Sequence, residues 1–324
     1  MRQLSIIISV YKVEKYIREY MESVFRQGLA DDQFELIIIN DGTPDRSMEV
    51  VADIISAHDN IKVVNQPNQG LSVALNAGLN IAKGEYILFN DPDDMLVDNS
   101  VGPLLSQTMT TKPDIVLADY IKTTDEEISS YRHINQYCSQ PKEKTGRELL
   151  LDDLDPYRCY KCRALFLRKF LLENNIRFVP GIFYQDVPFI HECYLKAKRC
   201  IRMHWQIYLY RSNRPESATN SFNYKKAMDF CIVVKELWKL SMMKRITKEE
   251  RQKIRHDAFA SLSVMVDKTV RHIGNAKERR EIIYHLHRET LNMDFLNGWK
   301  QRTTTFLLHH APLLYLSLQE KRKL

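Results

Sequence analysis

The chain predicts an α/β fold: a doubly wound, mostly parallel sheet of Rossmann-like, nucleotide-binding type, followed by a helical C-terminal region. Three observations carry that prediction. Short apolar runs alternate with amphipathic stretches across the first ~90 residues, the rhythm of βαβ units. The first, second and fourth runs end in polar residues, at the carboxyl end of the strand where such sheets bind ligands. Beyond about Asn223 the pattern is helical, with few breakers before Gly274 and Gly298. A boundary near Ala218 divides the chain into residues 1–218 and a basic helical region, 219–324.

Leu4–Val10 (LSIIISV) is short and rich in β-branched residues, hence a strand, with Tyr11 at its exit. Val13, Tyr16, Ile17, Tyr20, Met21, Val24 and Phe25 then form the stripe of an amphipathic helix over 13–27, stopped by Gly28. Residues 34–39 (FELIII) make the second strand and run into Asn40-Asp41-Gly42. Thr43 is placed to cap the next helix, with Pro44 at its first position. Ile61–Asn65 is the third strand, residues 67–70 break the chain, and 71–82 carry a helical stripe. Later, 114–120 reads as a strand and 122–140 as a polar loop. Thr145-Gly146-Arg147-Glu148 is a capping box, 166–175 is helical, and 200–211 alternates in part like a strand.

The stretch around which these elements are organised is GEYILFNDPDD, Gly84 to Asp94. Tyr86, Ile87, Leu88 and Phe89 are too few for a helix and fit a central buried strand. Pro92 keeps Asp91 out of the helical region, and in extended backbone Asp91 and Asp93 leave on the same side. Paired carboxylates at a strand's carboxyl end suit a hard divalent cation that a ligand's phosphates also hold. On its own, the same stretch reads equally as an Asx turn.

The 324 residues, 44% hydrophobic and 27% charged, describe an ordinary globular protein of one large domain with an appendage, or of two. No secretory signal precedes the first strand and no apolar run reaches the length of a spanning helix, so a cytoplasmic protein is expected. Six cysteines include one CxxC, Cys159 and Cys162, without a second ligand pair at zinc spacing. Charge is uneven. Residues 220–324 carry 21 Lys and Arg against 11 Asp and Glu, whereas the remainder carries 26 against 30. A basic tail suits an anionic surface such as phospholipid headgroups, or only a solvated helix face. Within it, residues 306–318 (FLLHHAPLLYLSL) followed by Lys321-Arg322-Lys323 have the composition of a short interfacial anchor or of a packed helix, irregular at Pro312. His285 and His287 diverge by about 200° on a helix, so the tail's histidines do not form a metal pair.

Five ordered pieces, SIIISVYKVEKYIREYMESVFRQ, ELIIINDGTPDRS, NQGLSVALNAGL, GEYILFNDPDD and NNIRFVPGIFYQDVPFI, resemble family 2 glycosyltransferases of the GT-A fold. The likeness is to bacterial enzymes of capsule, exopolysaccharide or O-antigen synthesis, and it covers residues 4–219. It implies that Asp41 accepts a hydrogen bond from a nucleotide base, with Tyr11 nearby. It implies that Asp91 contacts the ribose or supports a metal, and that Asp93 ligates Mg²⁺ or Mn²⁺ bridging the diphosphate, with Asp94 beside it. Asn68 and Gly70 would shape a turn near the donor; Arg211, with Arg214 as a second candidate, would lie near the phosphates. Asp186 would be the general base, although by position alone it also reads as a helix N-cap.

The implied activity is inverting, metal-dependent transfer of a sugar from a nucleoside-diphosphate donor, UDP-linked, to a glycan or lipid-linked acceptor. Nucleic acid is not an expected partner, and a homodimer stays open. The chain departs from the family pattern at Val10, Lys12, Leu75 and Gln185, where proline, asparagine, arginine and glutamate are usual. Two other readings compete. A nucleotidyltransferase acting on sugar phosphates would need a glycine-rich loop after the first strand, and YKVEKY lacks the glycines. A non-catalytic glycan- or nucleotide-binding module would not need Asp186.

Overall fold

The computed structural model describes residues 2–133, 140–212, 221–295 and 299–322. The expected boundary near Ala218 and the candidate Arg214 lie outside the described residues. Two compact units emerge: Met1–Leu149, Tyr160–Gly181 and Lys196–Glu216 in the first, and Leu150–Cys159, Ile182–Leu195 and Ser217–Leu324 in the second.

The first unit is built on a mixed sheet whose parallel half comes from the earliest strands. β1 (Leu4–Val10), β2 (Phe34–Asn40), β3 (Ile61–Asn65) and β4 (Tyr86–Asn90) pair in the order β3-β2-β1-β4, all parallel. β5 (Met95–Leu96), β6 (Ile115–Thr123), β7 (Lys142–Lys144), β8 (Ala164–Leu167) and β9 (Cys200–Arg211) complete it. β8 lies antiparallel between β4 and β6, β9 runs parallel to β6, and β5 and β7 pair antiparallel with β9.

Every residue of β1 is buried. Its alternate side chains serve two faces, as the strand's two-residue period demands. Leu4, Ile6, Ile8 and Val10 share a core with Ile17, Tyr20, Met21 and Val24 of α1 (Ile17–Phe25). Each such aliphatic side chain contributes about 1.5–3 kcal/mol on burial. Towards α3 (Leu71–Ile81), the following helix after α2 (Ala52–Ala57), a Cβ added at Gly78 would meet Ile7 at 2.4 Å and Ile39 at 3.6 Å. Gly84 enters β4 equally tightly: a Cβ there would lie 2.4 Å from the Ser5 amide nitrogen. Helices on both faces of parallel strands are the doubly wound arrangement.

Several local expectations are corrected. Thr43 does not cap a helix. Its hydroxyl accepts from the Lys12 amide at 2.8 Å and donates to Asp45 at 2.6 Å, and helical backbone begins only at Glu49. The first helix starts at Ile17 because Val13–Tyr16 form a turn, with the Tyr16 and Ile17 amides on the Val13 carbonyl. The helix expected over 166–175 is present but shorter, α6 (Arg168–Glu173), because Phe166 and Leu167 end the strand β8; it follows α4 (Val101–Thr111) and the three-residue α5 (Gly146–Glu148). Short apolar runs do not separate helix from strand by periodicity; the pairing with β4 and β6 decides it. The polar segment after 122 holds a 3₁₀ turn at Ile128–Tyr131. The capping box at Thr145 and Glu148 forms as read.

The second unit is helical. It contains most of α7 (Asp186–Lys196), then α8 (Tyr224–Ser241), α9 (Lys248–His272), α10 (Ala276–Thr290), α11 (Trp299–His310) and α12 (Pro312–Lys321). Side chains stop the orphan amides at three starts: Asn223 before α8, the Thr247–Glu250 capping box before α9, and Asn275 before α10. Inside, His191 of α7 lies with Nε2 3.0 Å from Asp257 of α9, while Lys253 donates to the same carboxylate at 2.7 Å. Pro312 begins α12 and so separates it from α11.

Candidate active site

The polar residues that end β1, β2 and β4 stand at the carboxyl edge of adjacent parallel strands. At the exit of β1, Tyr11 is 42% exposed, and Lys12 takes left-handed backbone, φ 56°. Asparagine, usual at this position in the family that the motifs resemble, tolerates that conformation better than lysine does.

Asp41, at the end of β2, is buried and bonded to the next loop. It accepts from Gln66 Nε2 at 2.7 Å and from the amides of Gln69 and Gly70 at 2.9 and 2.8 Å. Gly42, with φ 64°, passes so close that a Cβ would meet the Asn68 amide at 2.9 Å. Asp41 therefore holds the turn that presents the exposed Asn68 and starts α3 behind Gly70.

Beyond β4, buried Asn90 accepts from the Tyr20 hydroxyl at 3.1 Å and donates to the Cys162 carbonyl at 3.4 Å, so the strand end is held from two sides. The three carboxylates that follow take different environments. Both oxygens of Asp91 accept from Lys161 Nζ at 2.8 Å. Asp93 is half-buried, and its carbonyl accepts from Arg211 Nε at 3.0 Å. Asp94 is buried and accepts from the Tyr208 hydroxyl and the Arg211 amide, each at 2.8 Å. Burial, reinforced by the neighbouring charges of Asp93 and Asp91, pushes the Asp94 carboxyl well above the usual range.

Arg211, the last residue of β9, is buried and faces carboxylates of this chain: Glu19 at 2.7 Å and Asp125, with the Tyr16 ring 5.0 Å away. Burial opposes its charge, but Asp125 and Glu19 outweigh that and raise its pKa. The structure thus brings Asp91, Asp93, Asp94 and Arg211 into one bonded cluster, with Asp41 and Asn68 at the same edge of the sheet but beyond the exit of β1. Asp186 belongs to the second unit. It is the first residue of α7, one position inside the helix from a capping site, and accepts from Gln185 Nε2 at 3.2 Å.

Lys161, Tyr208, Glu19 and Asp125 were not among the expected site residues. Nothing in their local sequence marks them; Lys161 stands between the two cysteines of the CxxC, which are free thiols. Among the described residues, no group of three or more His, Cys, Asp and Glu is arranged to hold a metal ion. Asp91, Asp93 and Asp94 nonetheless lie within four positions after β4 and are oxygen donors of the kind a hard divalent cation takes. Asp91 is engaged by Lys161 and Asp94 by Tyr208 and the Arg211 amide, and the half-buried Asp93 stands between them in the loop.

Residues 5–173 match the family model for glycosyl transferase family 2. The chain is 34% identical over 230 residues to the uncharacterized glycosyltransferase EpsJ of Bacillus subtilis, a match covering 70% of this chain and 65% of EpsJ. The chain thus spans just under two thirds of that relative's length. Among solved structures, S. aureus TarS 1–349 in complex with UDP-GlcNAc shares the fold at a TM-score of 0.79 and 18% identity, over 99% of this chain and 91% of that one. Mannosyltransferase PcManGT from Pyrobaculum calidifontis, in complex with GDP-Man and Mn²⁺, is more distant, with a TM-score of 0.58 and 14% identity, over 100% of this chain and 88% of that one. The architecture is of the GT-A type that the motifs imply. With more than half of its length inside the family model, the chain belongs to glycosyl transferase family 2.

Proposed function

We propose that this chain transfers a sugar, with inversion, from a UDP-linked donor to a hydroxyl of a glycan or lipid-linked acceptor in cell-surface polysaccharide synthesis. The observation that carries the reading is the carboxylate cluster after β4, at the same carboxyl edge of a family 2 sheet as the Asp41 loop. The UDP-GlcNAc complex of TarS supports the donor class. We assign the transferase domain to residues 1–218 and the basic helical region to 219–324.

In this reading Tyr11 and the Asp41–Asn68 turn receive the nucleoside. Asp91, held by Lys161, is directed at the ribose or the diphosphate. Asp93 would hold Mg²⁺ or Mn²⁺ together with the donor's phosphates, and Asp94 fixes the loop from beneath through Tyr208 and Arg211. A bound cation offsets the charge that develops on a departing nucleoside diphosphate, an effect of several kcal/mol. Asp186 takes the proton of the attacking acceptor hydroxyl as a general base. One in-line displacement by that oxygen turns an α-linked donor into a β-linked product.

The test is a donor panel: nucleotide release from UDP-, GDP- and dTDP-sugars, with acceptor saccharides, in Mn²⁺ or in EDTA. Metal-dependent release from a UDP-sugar is expected. Absence of both turnover and binding for every donor would overturn the reading, and release of pyrophosphate from a nucleoside triphosphate plus sugar phosphate would favour a nucleotidyltransferase.

A further inference from the structure

α12 turns apolar side chains in two directions. Tyr315 and Leu316 are buried, but Leu313, Leu314 and Leu318 are 39%, 53% and 40% exposed. At 100° per residue, Leu313, Leu314, Ser317, Leu318 and Lys321 fall within an arc of about 140°, so the exposed face is a leucine face edged by a cation. Phe306 on α11 is 61% exposed, one turn from the exposed Arg302. Along the chain the charges of this segment are mostly of one sign, although Asp294 lines a hollow together with Arg302 and Phe306. Residues 299–324 contain five Lys and Arg and one acid, Glu320, whose carboxylate accepts from Arg279 Nε at 2.8 Å. Lys321 and Arg322 close the helix, both exposed.

An apolar face rimmed by cations matches an anionic phospholipid surface. A second copy of this chain is a poorer match, because it would bring a face with the same excess of cations. Among the described residues no helix is long and apolar enough to cross a membrane, so the contact required is one lying along the surface.

We propose that α12 docks in the plane of an anionic phospholipid membrane. Leu313, Leu314 and Leu318 enter the headgroup–acyl boundary, and Lys321 and Arg322 meet the lipid phosphates. The proposal does not depend on the transferase reading, since it is measured without donor or acceptor.

The experiment is flotation of the full chain with phosphatidylcholine vesicles, with and without phosphatidylglycerol, at about 0.1 M and 1 M salt. Binding only to the phosphatidylglycerol vesicles, and its loss at high salt, is expected. The double substitution Leu314→Glu, Leu318→Glu should weaken binding at least tenfold while circular dichroism and thermal melting stay unchanged. Lys321→Glu with Arg322→Glu, which leaves the leucines in place, should cost about tenfold or more. Wild-type protein that ignores anionic vesicles overturns the proposal, as does equal binding by both double variants. A concentration-dependent dimer that the leucine double variant dissolves would show that a second copy covers the face instead.

Discussion

Both carboxylate oxygens of Asp91 lie 2.8 Å from the ammonium of Lys161, a lysine side chain only 2% exposed and 70 positions away in sequence. A buried ammonium is costly unless it is paired, so the contact holds the lysine in place and orients Asp91 in turn. Replacing Lys161 by methionine preserves length but leaves Asp91 without its cation. Because the Asp91 side chain is 31% exposed, the expected loss of stability is about 2 kcal/mol, below the ~3–5 of a fully buried pair. UDP affinity measured by calorimetry should fall about tenfold, with substantial rescue in Lys161→Arg. Unchanged UDP affinity in the methionine variant would reduce Lys161 to a scaffold residue.

Asp94 offers a pH test with a definite sign. Burial, then Asp93 and Asp91, raise its carboxyl above the unfolded value of about 3.9. Between those two pKa values the native state holds a proton that the unfolded chain has released, so stability falls as pH rises through that window. Asp94→Asn keeps an acceptor for the Arg211 amide and turns an amide donor to the Tyr208 hydroxyl, whose oxygen can accept, but cannot ionise. Melting temperature against pH, recorded in EDTA, should show the variant gaining on the wild type across the window. A constant difference would rule out Asp94 as the titrating group.

The ion cluster of the second unit predicts the opposite sign. Burial opposes ionisation of Asp257, but His191 and Lys253 outweigh it and hold the carboxyl below its ordinary value. The contribution of Asp257 is present above a pH of about 4 and is lost as pH falls through its folded pKa. Asp257→Asn leaves Lys253 and His191 facing an uncharged amide in the interior and should cost about 3–5 kcal/mol at neutral pH. Urea denaturation at pH 7 measures it; a loss within about 0.5 kcal/mol would mean that the cluster is dispensable.

Asp186→Asn separates catalysis from binding. If Asp186 takes the acceptor's proton, the variant should bind UDP as the wild type does and lose about a hundredfold or more in turnover, as removal of a general base usually does. Full turnover in a folded variant would exclude it as the base. Circular dichroism and thermal melting check that the variant is folded.

Much of this protein could be read directly from its residues. Leu4–Val10 and Tyr86–Asn90 are legible as strands because they are mostly apolar, too short for a helix and bounded by turn residues, a pattern that suits burial on both faces of a parallel sheet. The Thr145–Glu148 capping box is equally local, since both partners sit three positions apart. The family, and the placement of Asp41 and of Asp91–Asp94 at strand exits, follow from motifs of this kind. Ala164–Leu167, in contrast, has no periodicity of its own, and Met95–Leu96 and Lys142–Lys144 are too short to show any; each became a strand only when a partner strand was beside it.

What the sequence determined by itself was therefore where the first four strands lie along the chain, the carboxylates at their ends and the family they announce. Tertiary structure alone decided which charge answers which: Lys161 for Asp91, Tyr208 for Asp94, Glu19 and Asp125 for Arg211. The reason is physical. A strand or a cap is selected by interactions a few residues apart, whereas a buried ion must find its counter-charge wherever the packed chain has brought one, and that separation, 192 positions for Arg211 and Glu19, leaves no local pattern.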